Sequence, residues 1–365
     1  MRIHASAIYS ILFAAFAEED RVHANSIAAW DNITAHHQEK ITASSSKSIL
    51  RSKVIRSAIS TRHLVAIDPT QIYKYKKLGN DLEGDDESKF FGSAVAMNGD
   101  GSLVAVGSEG DYGYTGSVFV FQYNPSTLQW APFGQRIRGE NAGDNFGASL
   151  AMSNDGLRLA VGAPSNYGYR GHMRVYQYTS DSAGGEWSIM GSDLDGDAAG
   201  DNAGTSVTIS GDGSRVAMGA PLSASTTQDQ DESYPSTAGR VLIFSYNETA
   251  KNWVVSGNVI ESPVTAYLGG AVSLSENGNR VVVGGRMFTP IVGDKALDYA
   301  GGVSVYDFVD SVWVQAGDTI NGLDYYDRFG HDVDISDDGT RIVAGAFTSD
   351  GQNLNTRDVC QATVF

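Results

Sequence analysis

The sequence predicts an all-β protein, a β-propeller of four-stranded antiparallel blades, and three observations carry that expectation. First, glycines recur in a fixed frame: Gly92, Gly147, Gly204, Gly269 and Gly330 are each followed nine residues later by Gly101, Gly156, Gly213, Gly278 and Gly339, and six further on by Gly107, Gly162, Gly219, Gly284 and Gly345. Second, the segments between these glycines alternate apolar and small residues and are split by Asp-Gly or Asn-Gly, the signal of a hairpin turn that needs positive φ. Third, an aromatic residue stands four positions before a further glycine in each unit: Tyr75 and Gly79, Trp130 and Gly134, Trp187 and Gly191, Trp253 and Gly257, Trp313 and Gly317. A spacing of 55 to 66 residues between those aromatics lies in the range of radially repeated sheets.

Taken in chain order, the first segment has a different character from the rest. Arg2 and His4 precede an apolar run, Ile8 to Ala17, that closes on Ala15-Phe16-Ala17, the small-x-small pattern of a signal-peptidase site. We expect residues 1–17 to be a secretory signal, with a buried helix of a truncated N-terminus as the alternative. The run is about half the ~20 residues a membrane span needs, so no transmembrane segment is expected. Residues 18–70 are Ser-rich, lack acidic residues between Glu39 and Asp68, and carry few large apolar groups, as a linker or pro-segment does. Their lack of acids also gives a plastid-type targeting region as a minor alternative. Asn32-Ile33-Thr34 and Asn247-Glu248-Thr249 are glycosylation acceptors in a secreted chain.

From residue 71 five units follow, about 71–125, 126–182, 183–248, 249–308 and 309–365. Each supplies an aromatic outer strand and then three inner ones. The last unit therefore lacks a fourth strand and the first brings a spare one, so pairing of residues 72–78 with 359–365 would close a five-bladed ring and remove two exposed edges.

Phe146-Gly147, followed after the Asp-Gly hairpin by Gly162-Ala163-Pro164, resembles the FG-GAP repeat of integrin alpha-subunit propellers. Phe91-Gly92 and Phe329-Gly330 repeat its first half and Gly219-Ala220-Pro221 its second. The resemblance implies an extracellular or cell-surface module for binding or adhesion. Integrin-like propellers have seven blades, which keeps open the alternative that these five belong to a longer chain. In that family the first hairpin of a blade often binds calcium; here the position-1 equivalents are Ala96, Ala151, Thr208, Ser273 and Asp334, so most of these hairpins are reduced to turns.

The charges are unevenly placed. The chain has 26 basic and 43 acidic residues, a net charge of −17, divided as +2 over residues 1–70 and −19 over the rest. A chain without a basic footprint is not expected to bind nucleic acid. One cysteine, Cys360, excludes a disulfide framework. One acidic loop has cation-like spacing: Asp193, Asp195, Asp197 and Asp201 fall at positions 1, 3, 5 and 9, although Ala198 stands where a sharp turn wants Gly. Ca2+ is therefore a possible cofactor there, against the simpler reading of a solvated acidic turn.

Propeller geometry places that loop on the face that also carries the connections between second and third strands. Asp111, Tyr112, Tyr114, Tyr167, Tyr169 and Tyr299 gather there as candidates for contact with a ligand. Tyr joins a broad apolar surface to a hydrogen-bonding tip, so such a face suits a protein or glycan ligand. Catalysis has little support: the acids fall at repeating turn positions, and His172 and His331 lack a Gly-x-Ser-x-Gly partner. The expected function is a non-catalytic binding module, and the alternative is a carbohydrate-active enzyme or lectin using the same face.

Overall fold

A computed structural model of the protein describes residues 77–84, 88–181, 184–224, 237–262, 264, 266–348 and 360–365. The expected secretory signal at 1–17, the linker at 18–70 and most of the unit-three insertion at 222–238 lie outside the described residues.

Among the described residues the chain forms five antiparallel blade sheets in sequence, as the glycine frame predicts, and one small two-stranded hairpin, Ile291–Val292 with Lys295–Ala296. Blade one runs Phe91–Met97, Leu103–Ser108, Ser117–Asn124 and Gln129–Pro132 from first strand to fourth. Blades two, three and four repeat it, beginning at Ser149–Met152, Ser206–Ile209 and Leu268–Leu274. In each of these four a two-residue strand, such as Ile137–Arg138 or Leu194–Asp195, also pairs with the start of the third strand. Blade five has three described strands, Phe329–Ile335, Ile342–Ala346 and Gln361–Val364. Each aromatic segment thus joins the sheet of the unit before it.

The hairpins form as their sequence dictates. Asp155, Asp212 and Asp338 each accept a hydrogen bond from the amide two residues on, at 2.9, 2.9 and 3.0 Å, and from the hydroxyl of Ser153, Ser210 or Ser336. These carboxylates complete Asx turns.

Four successive junctions between blades are built alike. At the hairpin tips Gly99 N–H donates to the Asn154 carbonyl, Asn154 to Gly211, Gly211 to Glu276 and Glu276 to Asp337, at 2.7–3.0 Å. At the rim the indole N–H of Trp187, Trp253 and Trp313 reaches back across the first three of these junctions to the carbonyls of Phe133, Met190 and Ser256, and that of Trp130 reaches Leu78 in the segment before blade one, at 2.6–3.0 Å. Near the loop face Gly116, Gly171, Gly239 and Gly301 bridge to Phe146, Ala203, Leu268 and Phe329 of the following blade. Between the blades lie apolar clusters, for instance Met173, Val175, Val216, Met218 and Phe244 between blades two and three.

The third glycine of the frame follows from this packing. A Cβ at Gly107, Gly162, Gly219 or Gly284 would fall on the backbone carbonyl of Gly147, Gly204, Gly269 or Gly330 in the next blade. Among the described residues the step from blade five back to blade one shows no such approach. A Cβ on Gly345 would meet only the Asp332 carbonyl, at 3.9 Å, and one on Gly92 would meet nothing within 4 Å. The expected closure by residues 72–78 and 359–365 rests largely on residues 72–76, which lie outside the described ones. Leu78 and Asn80 nevertheless hold Trp130 by its indole and amide N–H, at 2.9 and 2.7 Å, as the ends of outer strands do at later junctions.

Candidate functional site

The connections between second and third strands in blades one and two are two copies of one turn, Asp111-Tyr112-Gly113-Tyr114 and Asn166-Tyr167-Gly168-Tyr169. Their backbones coincide: φ/ψ is 47°/47° at Tyr112 and 72°/39° at Gly113, against 48°/52° at Tyr167 and 68°/43° at Gly168. Tyr114 and Tyr169 follow with φ of 67° and 65°. A left-handed tyrosine costs on the order of 1–3 kcal/mol and persists only where its surroundings over-determine it. Here they do so from both sides. At the base, Asn166 is buried and donates from Nδ2 to Asp144 Oδ2 at 2.9 Å. At the far end, the Tyr114 carbonyl accepts from Asn145 N–H at 2.8 Å, and the Tyr169 carbonyl from Gly200 and Asn202 N–H at 3.1 and 2.7 Å.

Those last bonds cross to the next blade's loop before its Phe-Gly pair or its equivalent. They place the two kinds of loop on one face, as the sequence predicts. The Tyr299 carbonyl likewise accepts from Arg328 N–H at 3.1 Å, and the Tyr299 ring lies 5.6 Å from that of Tyr326. Tyr112, Tyr114, Tyr167 and Tyr169 are exposed by 41, 47, 77 and 57%. A Cβ added at either turn glycine would meet nothing within 4 Å, so both turn tips stand open.

Asp111 corrects the sequence expectation. It is not a surface group: its exposure is 0% and its carboxylate is ion-paired with Arg136 beneath the loop. The Arg136 guanidinium also lies over the rings of Phe119 and Tyr112, at 4.6 and 5.0 Å. Arg138 covers Tyr112 from 4.4 Å and donates to its hydroxyl at 2.9 Å. Asp111 thus braces the turn from beneath.

The acidic loop is likewise internally committed. Asp193 accepts two hydrogen bonds from Arg174, at 2.6 and 2.5 Å, and Glu140 pairs with the same guanidinium at 2.6 Å. That bidentate contact holds the Asp193 carboxyl below its ordinary pKa and raises that of Arg174. Asp195 faces Arg170 at 3.8 Å and Asp197 faces Arg240 at 2.5 Å. Asp201 is buried and accepts the N–H groups of Asp197 and Ala198, at 3.2 and 3.0 Å, closing its own loop. Asp144 and Asp327 do the same three residues before their glycines, accepting from Asn141 and Asp324 N–H at 3.0 and 2.9 Å. The four carboxylates therefore turn to three different arginines and to backbone amides, and they do not fit the shell of six to eight converging oxygens that calcium takes. Among the described residues no group of three or more His, Cys, Asp or Glu side chains is gathered for a metal ion.

Sequence reasoning missed the arginines, because their partners lie at separations fixed only by the fold. It also missed five left-handed residues one position before each Phe-Gly pair or its equivalent: Phe90, Asn145, Asn202, Tyr267 and Arg328, with φ between 54° and 61°. Below the face, His172 is 2% exposed and its Nε2 has no hydrogen-bond partner among the described residues. Burial, and then the Arg174 charge, lower its pKa, against smaller opposing effects of Asp193, Asp195 and Asp144. No described helix is long and apolar enough to cross a membrane.

No protein-family model matches the chain, and neither does any curated protein. Solved structures with similar shape include a periplasmic gluconolactonase of Pseudomonas aeruginosa, 14% identical, with TM-score 0.44 over 69% of this chain and 64% of that one. They also include a protein of Bacteroides uniformis described as a 6-phosphogluconolactonase, 13% identical, with TM-score 0.40 over 74% of this chain and 84% of that one. TolB of Acinetobacter baumannii is 14% identical, with TM-score 0.37 over 68% of this chain and 47% of that one. The chain thus spans under two thirds of the length of the gluconolactonase, and none of these likenesses carries an argument about function.

Proposed function

We propose that this protein is a non-catalytic binding module of the extracellular or cell-surface kind, an FG-GAP-like propeller that takes a protein or glycan ligand on its tyrosine loop face. The observation that carries the reading is the repeated left-handed Tyr-Gly-Tyr turn. Two blades hold the same costly backbone and expose the same rings, a cost expected where presentation is the purpose. Rigid Tyr rings give contact area with little ordering on association.

The apolar start of the chain and its FG-GAP resemblance support an extracellular setting. Catalysis by paired carboxylates would need one acid held protonated near neutral pH. Of the loop carboxylates on this face, burial raises Glu109, whereas Asp193 is held down by Arg174 and is committed to that guanidinium. The test is to present the purified protein to arrays of extracellular proteins and of glycans, with hydrolysis of the glycans followed in parallel. Binding that is lost when Tyr112, Tyr114, Tyr167 and Tyr169 are all changed to Ala is the expected result. Turnover of any glycan would replace this reading with that of a carbohydrate-active enzyme, and binding indifferent to the four changes would remove the face from it.

A further inference from the structure

We propose that the tyrosine face grips a neutral, linear glycan, with the turns at 111–114 and 166–169 as two subsites of one backbone form, the second the more open; this names the ligand of the proposed binding face and rests on that reading.

Three observations select this chemistry. The first is charge. Although the chain is strongly acidic, most ionic groups around the two turns pair with one another: Asp111 with Arg136, Asp193 and Glu140 with Arg174, Asp195 with Arg170, Asp197 with Arg240; half-buried Glu109 has no ion pair among the described residues. Arg138 is committed to Tyr112 by its stacking and its hydrogen bond. A charged ligand would have to break these pairs, whereas a neutral one would not.

The second is the surface that remains. Tyr167 and Tyr169 are the more exposed pair, and among the described residues neither has a ring or guanidinium packed on it. A phenol ring offers a flat apolar surface to the C–H face of a sugar and a hydroxyl that can donate or accept at its edge. The third is repetition. The two turns share their backbone angles and are tied to the following blade through the same carbonyl, so they recur by the rotation that relates one blade to the next. A polymer of one repeating sugar matches such a surface at two places. A ligand joined to both subsites gains by effective concentration over one that reaches a single subsite.

The experiment is calorimetric titration of the full protein with defined probes. These are the neutral hexasaccharides of β-1,4-linked glucose, mannose and xylose and of β-1,3-linked glucose, their disaccharides, an oligogalacturonate as anionic probe, and an oligolysine as basic probe. We expect at least one neutral hexasaccharide to bind, about tenfold more tightly than its disaccharide, with affinity unchanged between low and high salt. Tyr112→Ala and Tyr167→Ala should each weaken it about tenfold, while Tyr167→Phe retains most of it and the melting temperature stays within a degree or two of wild type. Binding of the charged probes alone, no binding of any neutral hexasaccharide, or Ala variants that bind like wild type would each overturn the proposal. If glycans fail while a protein ligand binds and is lost in Tyr167→Ala, the inference falls and the reading of the face stands. If no ligand of either kind responds to the tyrosines, both fall.

Discussion

Gly219 and Gly345 hold the same place in their repeats and stand in opposite surroundings. A Cβ at Gly219 would fall on the Gly269 carbonyl oxygen, which belongs to the backbone and has no room to give, whereas at Gly345 the nearest described atom is 3.9 Å away. Gly219→Ala should therefore cost about 2–3 kcal/mol of stability. Gly345→Ala should be neutral or gain a few tenths, because Ala restricts the unfolded chain. Urea unfolding of the two variants checks this, and equal costs would mean that the third glycine of the frame is not a packing device. His172 gives a second prediction. Its folded pKa lies below the ordinary 6.5 because burial and Arg174 oppose a positive charge. As pH falls below about 6.5, the unfolded chain binds a proton that the folded chain refuses, so stability falls with acidification and is untouched above that value. Half-buried His331, whose pKa is lowered by desolvation, Arg286 and Arg328, acts with the same sign. The melting temperature should drop between pH 7 and pH 5.5, and the drop should be smaller in His172→Gln. At this scale the sequence was partly readable. The glycines announced themselves, but nothing in Tyr112 or Tyr167 signals a left-handed backbone, a conformation bulky residues adopt only under tertiary constraint.

At the scale of the strand and hairpin, local chemistry was legible because it is local. Asp-Gly and Asn-Gly set the first hairpins, and Ser and Asp two residues apart close them. What was hidden is how one element grips the next. The aromatic of each unit was visible as a repeating mark, yet its task, an indole N–H given to the carbonyl of the preceding outer strand, depends on a neighbour 52 to 63 residues away. It also explains a glycine: a Cβ on Gly134, Gly191 or Gly257 would lie 2.8 Å from Cδ1 of the tryptophan that follows. Trp253→Phe would leave the buried Met190 carbonyl without that donor and should cost about 2 kcal/mol, read as a lower denaturation midpoint with an unchanged slope. The acidic loop at 193–201 shows the same limit from the other side. Spacing alone could not tell a cation shell from four carboxylates answering separate arginines and amides, because spacing does not say where a side chain turns.

For the molecule as a whole, blade number and order followed from the glycine frame, since each unit must bury its faces against neighbours. Four junctions share the tip bonds and the glycine bridges, and among the described residues the step into blade one shows only the rim bond from Trp130 to Leu78. Stability in such an array is near to a sum of unit and junction terms, so a unit with one neighbour of this kind is less protected than a unit with two. Amide exchange in the second strand of blade three, Arg215–Ala220, should be slower than in Leu103–Ser108 of blade one and Ile342–Ala346 of blade five. Uniform protection across all three would show that the ends are tied as firmly as the middle.

The head-to-tail bonds at the hairpin tips have one more consequence. Each of the three middle tips, Asn154, Gly211 and Glu276, donates to its successor and accepts from its predecessor through the same two atoms, so these joints are alike. A copied unit spliced in register between blades two and three would arrive with both halves of that joint already in place. The number of blades is then a matter of how often the unit has been duplicated, and the protein can lengthen or shorten without inventing a new surface.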